Sequence, residues 1–131
     1  MNQFGAKAYQ KTAVETASKE KILLMLYESC IRNLKKCQSA MEAKNYAEKG
    51  MALGKAQDII NELSNSLNYE VGGQIAEQLG GLYLHLFQET TKANIENDPQ
   101  KIAHCIKIME TLYAGWKEAV EKIKANRGEK K

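Results

Sequence analysis

The sequence has few of the residues that break helices or cross-link small folds. Proline occurs once in the 131 residues, and no apolar run approaches the roughly 18 to 20 residues that cross a bilayer. Its cysteines are Cys30, Cys37 and Cys105, an odd number that favours reduced thiols over a disulfide framework. With no apolar segment of the signal-peptide type, these absences predict a cytosolic protein that does not insert into membranes.

The sequence also has only a small excess of charge of one sign. The formal net charge is +3, from 19 basic and 16 acidic residues, and no block of six like charges occurs. The densest basic region is the C-terminus, whose composition is typical of a solvated helix end and tail. We therefore expect no nucleic-acid partner.

Apolar residues recur at a spacing of three and four in four segments, which predicts four helices. We expect them over residues 19–43, 46–66, 74–96 and 99–125. Two signals mark helix starts: Asn45 with Glu48 has the form of a capping box, and Asp98 precedes Pro99 at a first helical position. Long helices joined by short turns predict an all-α, antiparallel up-and-down four-helix bundle.

The bundle domain is predicted to span residues 18–125, with Ser18 as the first N-cap. Residues 1–17 lack sustained periodicity and are predicted to form a flexible N-terminal arm or a short extra helix, and residues 126–131 a disordered tail. In the third helix we expect Ile75, Leu79, Leu82, Leu86 and Ala93 to face the core. In the second, Gly50 and Gly54 suggest a close approach of a neighbouring helix.

The sequence offers no recognisable catalytic or metal-binding motif. His85 and His104 lack the glutamate three residues earlier that di-iron bundles require, and no C-x-x-C pair supports zinc. There is also no P-loop and no glycine-rich dinucleotide motif. We expect no enzyme activity, no metal site and no cofactor.

Apolar surface is instead in excess. The stretches ILLMLY (22–27) and LYLHLF (82–87) present more apolar faces than a simple four-helix core uses. Amphipathic helices of a partner would bind such a surface through apolar anchors at helical spacing. The alternative is that the N-terminal arm and a second copy of the bundle cover it, and the residues alone leave both open.

Several stretches of the chain, in order, resemble the flagellar secretion chaperone FliS family. They are AYQ (8–10), TAS with EK (16–21), LLMLY (23–27), AQDIINELSNSLN (56–68), GGQIAEQLGGLY (72–83), KANIENDP (92–99) and the late Trp116. Lys19 stands where the family often has proline, and Glu28–Ser29 where it often has Asp-Gly. The resemblance covers nearly the whole chain.

The resemblance implies a cytosolic, non-enzymatic helical-bundle chaperone. Its implied partners are the C-terminal region of flagellin, bound in hydrophobic grooves before export, and a component of the flagellar export gate; a homodimer is also implied. A non-chaperone bundle that uses its surplus apolar surface to dimerise is the alternative. The candidate flagellin contacts are Tyr9, Leu26, Tyr27, Gln57, Ile60, Leu63, Leu67, Tyr83 and Asn94. Phe4 and Tyr9 further suggest that the arm covers the groove until flagellin displaces it.

Overall fold

The computed structural model describes the backbone of residues 3–128 and the side chains of residues 18–128. Four helices follow one another along the chain: α1 (Gln3–Glu42), α2 (Tyr46–Asn65), α3 (Tyr69–Glu96) and α4 (Pro99–Asn126). Each helix packs against its two neighbours around the bundle, and α4 closes the ring against α1. The predicted all-α four-helix bundle is confirmed.

Helix α1 begins earlier than predicted. Its backbone is helical from Gln3, so the predicted start at residue 19 is wrong, and Ser18 lies inside the helix instead of capping it. At about 1.5 Å per residue, α1 is about 60 Å long, twice the length of α2. The separate behaviour expected of residues 1–17 stays a prediction, and the side chain of Tyr9 lies outside the described ones.

The predicted caps of α2 and α4 are confirmed. The Asn45 side chain accepts a hydrogen bond from the Glu48 backbone N–H at 3.3 Å, and its amide donates to the Glu48 carboxylate at 3.0 Å. Asp98 accepts from the Gln100 backbone N–H at 2.9 Å, with Pro99 at the start of the helix. At the other end of α4, Arg127 donates two hydrogen bonds to the Glu20 carboxylate, at 2.9 and 2.8 Å. These contacts fix the start of α2 and both ends of α4.

Helix α3 contains a kink at Gly73, a residue that was predicted to precede the helix. It starts at Tyr69, where the Asn68 side chain accepts from the Val71 N–H, and not at residue 74. Gly73 then interrupts it, with φ 52° and ψ −125°. Only glycine adopts this conformation readily, because any Cβ would be strained there.

Replacing Gly73 with alanine should therefore lower the free energy of unfolding by about 1–3 kcal/mol. Urea denaturation measures the change. Gly81→Ala is a matched control on the same helix, since a Cβ at Gly81 meets no atom within 4 Å. That variant should gain about 0.5–1 kcal/mol from better helix propensity. Equal gains from both variants would contradict the kinked geometry.

The core is formed by one stripe from each helix. Its largest fully buried side chains include Tyr27, Leu34, Met41, Ile60, Leu63, Leu86, Ile102 and Met109. The stripe predicted for α3 is partly wrong: Tyr83 is buried, whereas Ile75 is 67% exposed. The third helix therefore carries apolar side chains toward solvent as well as toward the core.

The close helix approach expected at Gly50 and Gly54 is absent. A Cβ built at either position meets no atom within 4 Å, so nothing in the described residues requires glycine there. Each glycine nevertheless weakens a helix interior by about 0.5–1 kcal/mol relative to alanine. Alanine at both positions should thus raise the free energy of unfolding by about 1–2 kcal/mol, as measured by urea denaturation. A loss of stability would reveal a contact on this face.

Candidate partner-binding groove

Three aromatic side chains are hydrogen-bonded at the boundary between core and surface. The hydroxyls of Tyr27 and Tyr83 are bonded to each other, and both side chains are buried. The indole N–H of Trp116 donates to the Tyr27 hydroxyl at 3.0 Å. Burial raises the pKa of both tyrosines, so both stay neutral and available as hydrogen-bonding groups. The half-buried Trp116 ring is thereby fixed from beneath.

Above this cluster, α3 and α4 leave an apolar groove between them. Ile75, Leu79 and Leu82 of α3 form one wall, and Leu112, Trp116 and Ala119 of α4 form the other. We call this the α3–α4 groove; its central cavity is about 440 Å³. It is open to solvent and consists mainly of apolar side chains, the kind of surface that binds another apolar segment.

The groove continues at both ends. Toward the start of α4, a cavity of about 450 Å³ shares Leu82 and Leu112 with it and reaches His104 and Lys107. Toward the turn between α2 and α3, a cavity of about 310 Å³ shares Ile75, Leu79 and Trp116 and adds residues from three helices. The added apolar residues are Leu23, Leu63, Leu67, Val71, Ala76 and Tyr83.

The length of the groove suits a helical segment. On α4 the wall runs over the 16 residues from His104 to Ala119, whose first and last Cα atoms lie about 22 Å apart along the helix. Near its His104 end, the rings of His85 on α3 and His104 on α4 meet edge to face, with centroids 5.8 Å apart. This contact bridges the two helices there. A bound helix of about four turns would fill the open part.

Two of the residues that line the groove are highly exposed aliphatics. Val71 is 85% exposed and Ile75 is 67% exposed, both near the kink at Gly73. Isolated apolar residues are common on surfaces, but these border a continuous apolar depression. Such a combination is typical of interaction sites.

The structure brings together only part of the predicted contact set. Leu63, Leu67 and Tyr83 line the α3–α4 groove where it meets the α2–α3 turn, and Tyr27 lies beneath it. Ile60 is fully buried in the core, and Leu26 is half-buried against it.

Gln57 and Asn94 instead connect helices. The Gln57 amide donates to the hydroxyls of Thr90 and Thr91 at 3.0 and 2.9 Å, which joins α2 to α3. The Asn94 backbone carbonyl accepts from the ammonium of Lys49 at 3.1 Å, near the end of α3 where a cation suits the helix dipole. Neither residue lines the groove. Their contact with flagellin stays a prediction, but the Gln57 amide and the Asn94 backbone carbonyl already have partners within the chain.

Sequence reasoning missed most of the groove walls. Leu112 gives no signal of its own, and periodicity predicts that Ile75, Leu79 and Leu82 face the core. The surplus apolar character of LYLHLF was the available signal, because it exceeded what one packed face requires.

Other kinds of site find no support in the described residues. In residues 18–128, no group of three or more His, Cys, Asp or Glu side chains is arranged to hold a metal ion. No helix in the described part of the chain is long and apolar enough to span a bilayer.

The comparisons with known proteins agree on one family. The family model described as flagellar protein FliS matches residues 1–123. The chain belongs to the FliS family. A flagellar secretion chaperone FliS of Vibrio cholerae is 39% identical over 114 residues, covering 84% of this chain and 84% of the relative. Its counterpart in Bacillus subtilis is 30% identical over 120 residues, covering 92% and 89%.

A third relative and a solved structure extend the match. The flagellar secretion chaperone FliS of Salmonella typhimurium is 33% identical over 119 residues, covering 87% of this chain and 88% of the relative. A crystal structure of a flagellar chaperone from bacteria has a TM-score of 0.76 with 21% identity, covering 90% of this chain and 98% of that one. This likeness concerns the fold. Family membership identifies a flagellar secretion chaperone, and the FliS family is one of chaperones and not of enzymes.

Proposed function

We propose that this chain is a cytosolic export chaperone that binds the C-terminal segment of flagellin in the α3–α4 groove. Binding prevents the segment from polymerising before export. One observation carries the proposal: a member of a chaperone family presents an open apolar groove about 22 Å long, enough for about four helical turns.

The physical task fits the groove. A flagellin terminus that is unstructured before assembly exposes apolar residues, and each Å² of them removed from water is worth about 25 cal/mol. Ile75, Leu82 and Leu112 offer apolar surface for that burial. The segment must lose conformational freedom to bind, so affinity stays moderate for the area covered. Moderate affinity also allows release at the export apparatus.

We propose two further properties that follow from this role. The loaded chaperone docks at a component of the flagellar export gate, which receives the segment. The chain catalyses no reaction, since its contribution is to bury apolar surface and keep the cargo from assembling.

Flagellin truncation tests the proposal. Purified chain is titrated by calorimetry with full-length flagellin from the same cell and with flagellin that lacks its C-terminal region. The intact protein should bind, and the truncated protein should not. In a second assay, an equimolar amount of the chain should delay filament growth from flagellin monomers. Equal affinity for both flagellins would sink the proposed site.

The alternative occupant of the groove is a second copy of the chain. Sedimentation at micromolar concentration, with and without the flagellin segment, distinguishes the two. The chaperone proposal expects flagellin to displace any self-association that uses the groove. A tight dimer that persists unchanged when flagellin is added would favour the dimerisation module instead.

A further inference from the structure

We propose that Trp116 divides the α3–α4 groove into two subsites and selects cargo segments that place a small residue between two large apolar ones. The inference rests on the proposed function, because the cargo is the flagellin C-terminal segment. It adds what that segment must look like.

Trp116 lies at the boundary between two cavities of the groove. It lines both the central cavity of about 440 Å³ and the cavity of about 310 Å³ toward the α2–α3 turn, and Ile75 and Leu79 of α3 are the other two apolar residues that line both. Trp116 is the largest of the three and the one that α4 contributes. Of these two cavities, Leu82, Leu112 and Ala119 line only the first, and Leu67 and Val71 line only the second. Each cavity thus has apolar lining residues that the other lacks, so each offers a separate place for an apolar side chain.

The indole is held in place and cannot easily turn aside. Its N–H donates to the Tyr27 hydroxyl at 3.0 Å, and that hydroxyl is bonded to the equally buried hydroxyl of Tyr83. Moving Trp116 would break the bond and leave a buried tyrosine with one partner fewer, which is unfavourable away from water. The divider is therefore built into the core.

A rigid divider imposes a pattern on the cargo. Where a bound segment crosses the indole, its backbone comes closest to the chaperone, and only glycine, alanine or serine fits without overpacking. On either side, leucine or a similar residue fills a subsite. Along a helical segment, the two anchors are separated by one or two turns.

A complementary size exchange tests the divider. Leucine replaces each residue of the flagellin C-terminal segment in turn, and calorimetry measures binding to the wild-type chain and to Trp116→Ala. At one small cargo residue, leucine should weaken binding to the wild-type chain roughly tenfold, and Trp116→Ala should restore it by a similar factor. Tyr113→Ala is the matched control. Tyr113 is a half-buried aromatic residue on α4 that bonds Glu28 and does not line the groove, so no restoration is expected.

The possible results separate this inference from the proposed function. If the wild-type chain does not bind the unmodified segment, the proposed function fails. If it binds but no leucine position is restored by Trp116→Ala, the divider is wrong and the chaperone role stands. Complete loss of binding by a folded Trp116→Ala chain also overturns the divider, since the ring would then be an anchor. Should circular dichroism show that Trp116→Ala is unfolded, Trp116→Leu takes its place, with partial restoration expected.

Discussion

Ile75→Asp should weaken binding of the flagellin C-terminal segment by about 10- to 100-fold. Ile75 lines both the central cavity and the cavity beside Leu67, and it is 67% exposed before any partner binds. Burying an isoleucine side chain is worth about 1.5–3 kcal/mol, and burying an unpaired carboxylate costs more. Because the residue lies outside the core, the fold should tolerate the change.

Ile95→Asp is the matched control for this prediction. Ile95 is on the same helix and is 79% exposed, but it lines none of the groove cavities. Its substitution should leave the affinity within about twofold, as is usual for an exposed residue outside a binding site. Calorimetry with both variants measures the difference. Equal losses from the two variants would show that binding depends on general surface hydrophobicity and not on the groove.

The second large effect is a loss of stability at alkaline pH. Burial raises the pKa of the Cys30 and Cys105 thiols from an ordinary 9.0 to about 12. Between these values the unfolded thiols ionise while the native thiols stay protonated, so the native state binds more protons. The free energy of unfolding is therefore unaffected below about pH 9 and falls as pH rises toward 12, by up to about 1.4 kcal/mol per pH unit for each thiol.

The pH slope of stability measures this effect. Urea denaturation at intervals from pH 8 to pH 11 should give a declining free energy of unfolding, and Cys105→Ala should reduce the slope. The variant also loses packing, but that loss is the same at every pH and does not change the slope. Tyr27 and Tyr83, whose pKa values are also raised by burial, add to the decline above about pH 10. A slope identical in wild type and variant would mean that Cys105 ionises in the folded protein.

Periodicity predicts the core of α1 better than that of α3. In α1, Tyr27, Leu34 and Met41 recur every seven residues on one helical face, and all three are buried. In α3, the hydroxyls of Tyr83 and Thr90 are satisfied by Tyr27 and by the Leu86 carbonyl, so both residues are buried. A pattern of apolar residues does not predict that such polar side chains are buried, and it wrongly predicts that Ile75, which is exposed, faces the core.

The start of α1 was missed for a different reason. Residues 3–17 are helical but show no sustained apolar stripe, and periodicity detects only amphipathic helices. Tertiary contacts, such as the ion pair between Glu20 and Arg127, are not visible in the sequence. The predicted bounds of each helix therefore cover only the part of the segment in which apolar residues recur periodically.

The sequence shows an excess of apolar residues, which predicts a binding surface, but it does not predict where on the bundle that surface lies. Leu67 and Tyr83 were identified, whereas Leu112 was not, because which faces of α3 and α4 meet depends on the packing of all four helices. Ile60 resembled a contact residue in spacing and is a core residue in the fold. Spacing along one helix distinguishes its faces, but not what covers each face.

Trp116 is the only tryptophan in the sequence, and it lies in the groove. Its fluorescence therefore tests the central claim directly, using the unmodified chain and a flagellin C-terminal segment that lacks tryptophan. If the segment lies in the α3–α4 groove, it removes water from the half-buried indole. The emission maximum should then shift to shorter wavelength in proportion to binding measured by calorimetry. Binding that leaves the emission of Trp116 unchanged would contradict the assignment of this groove.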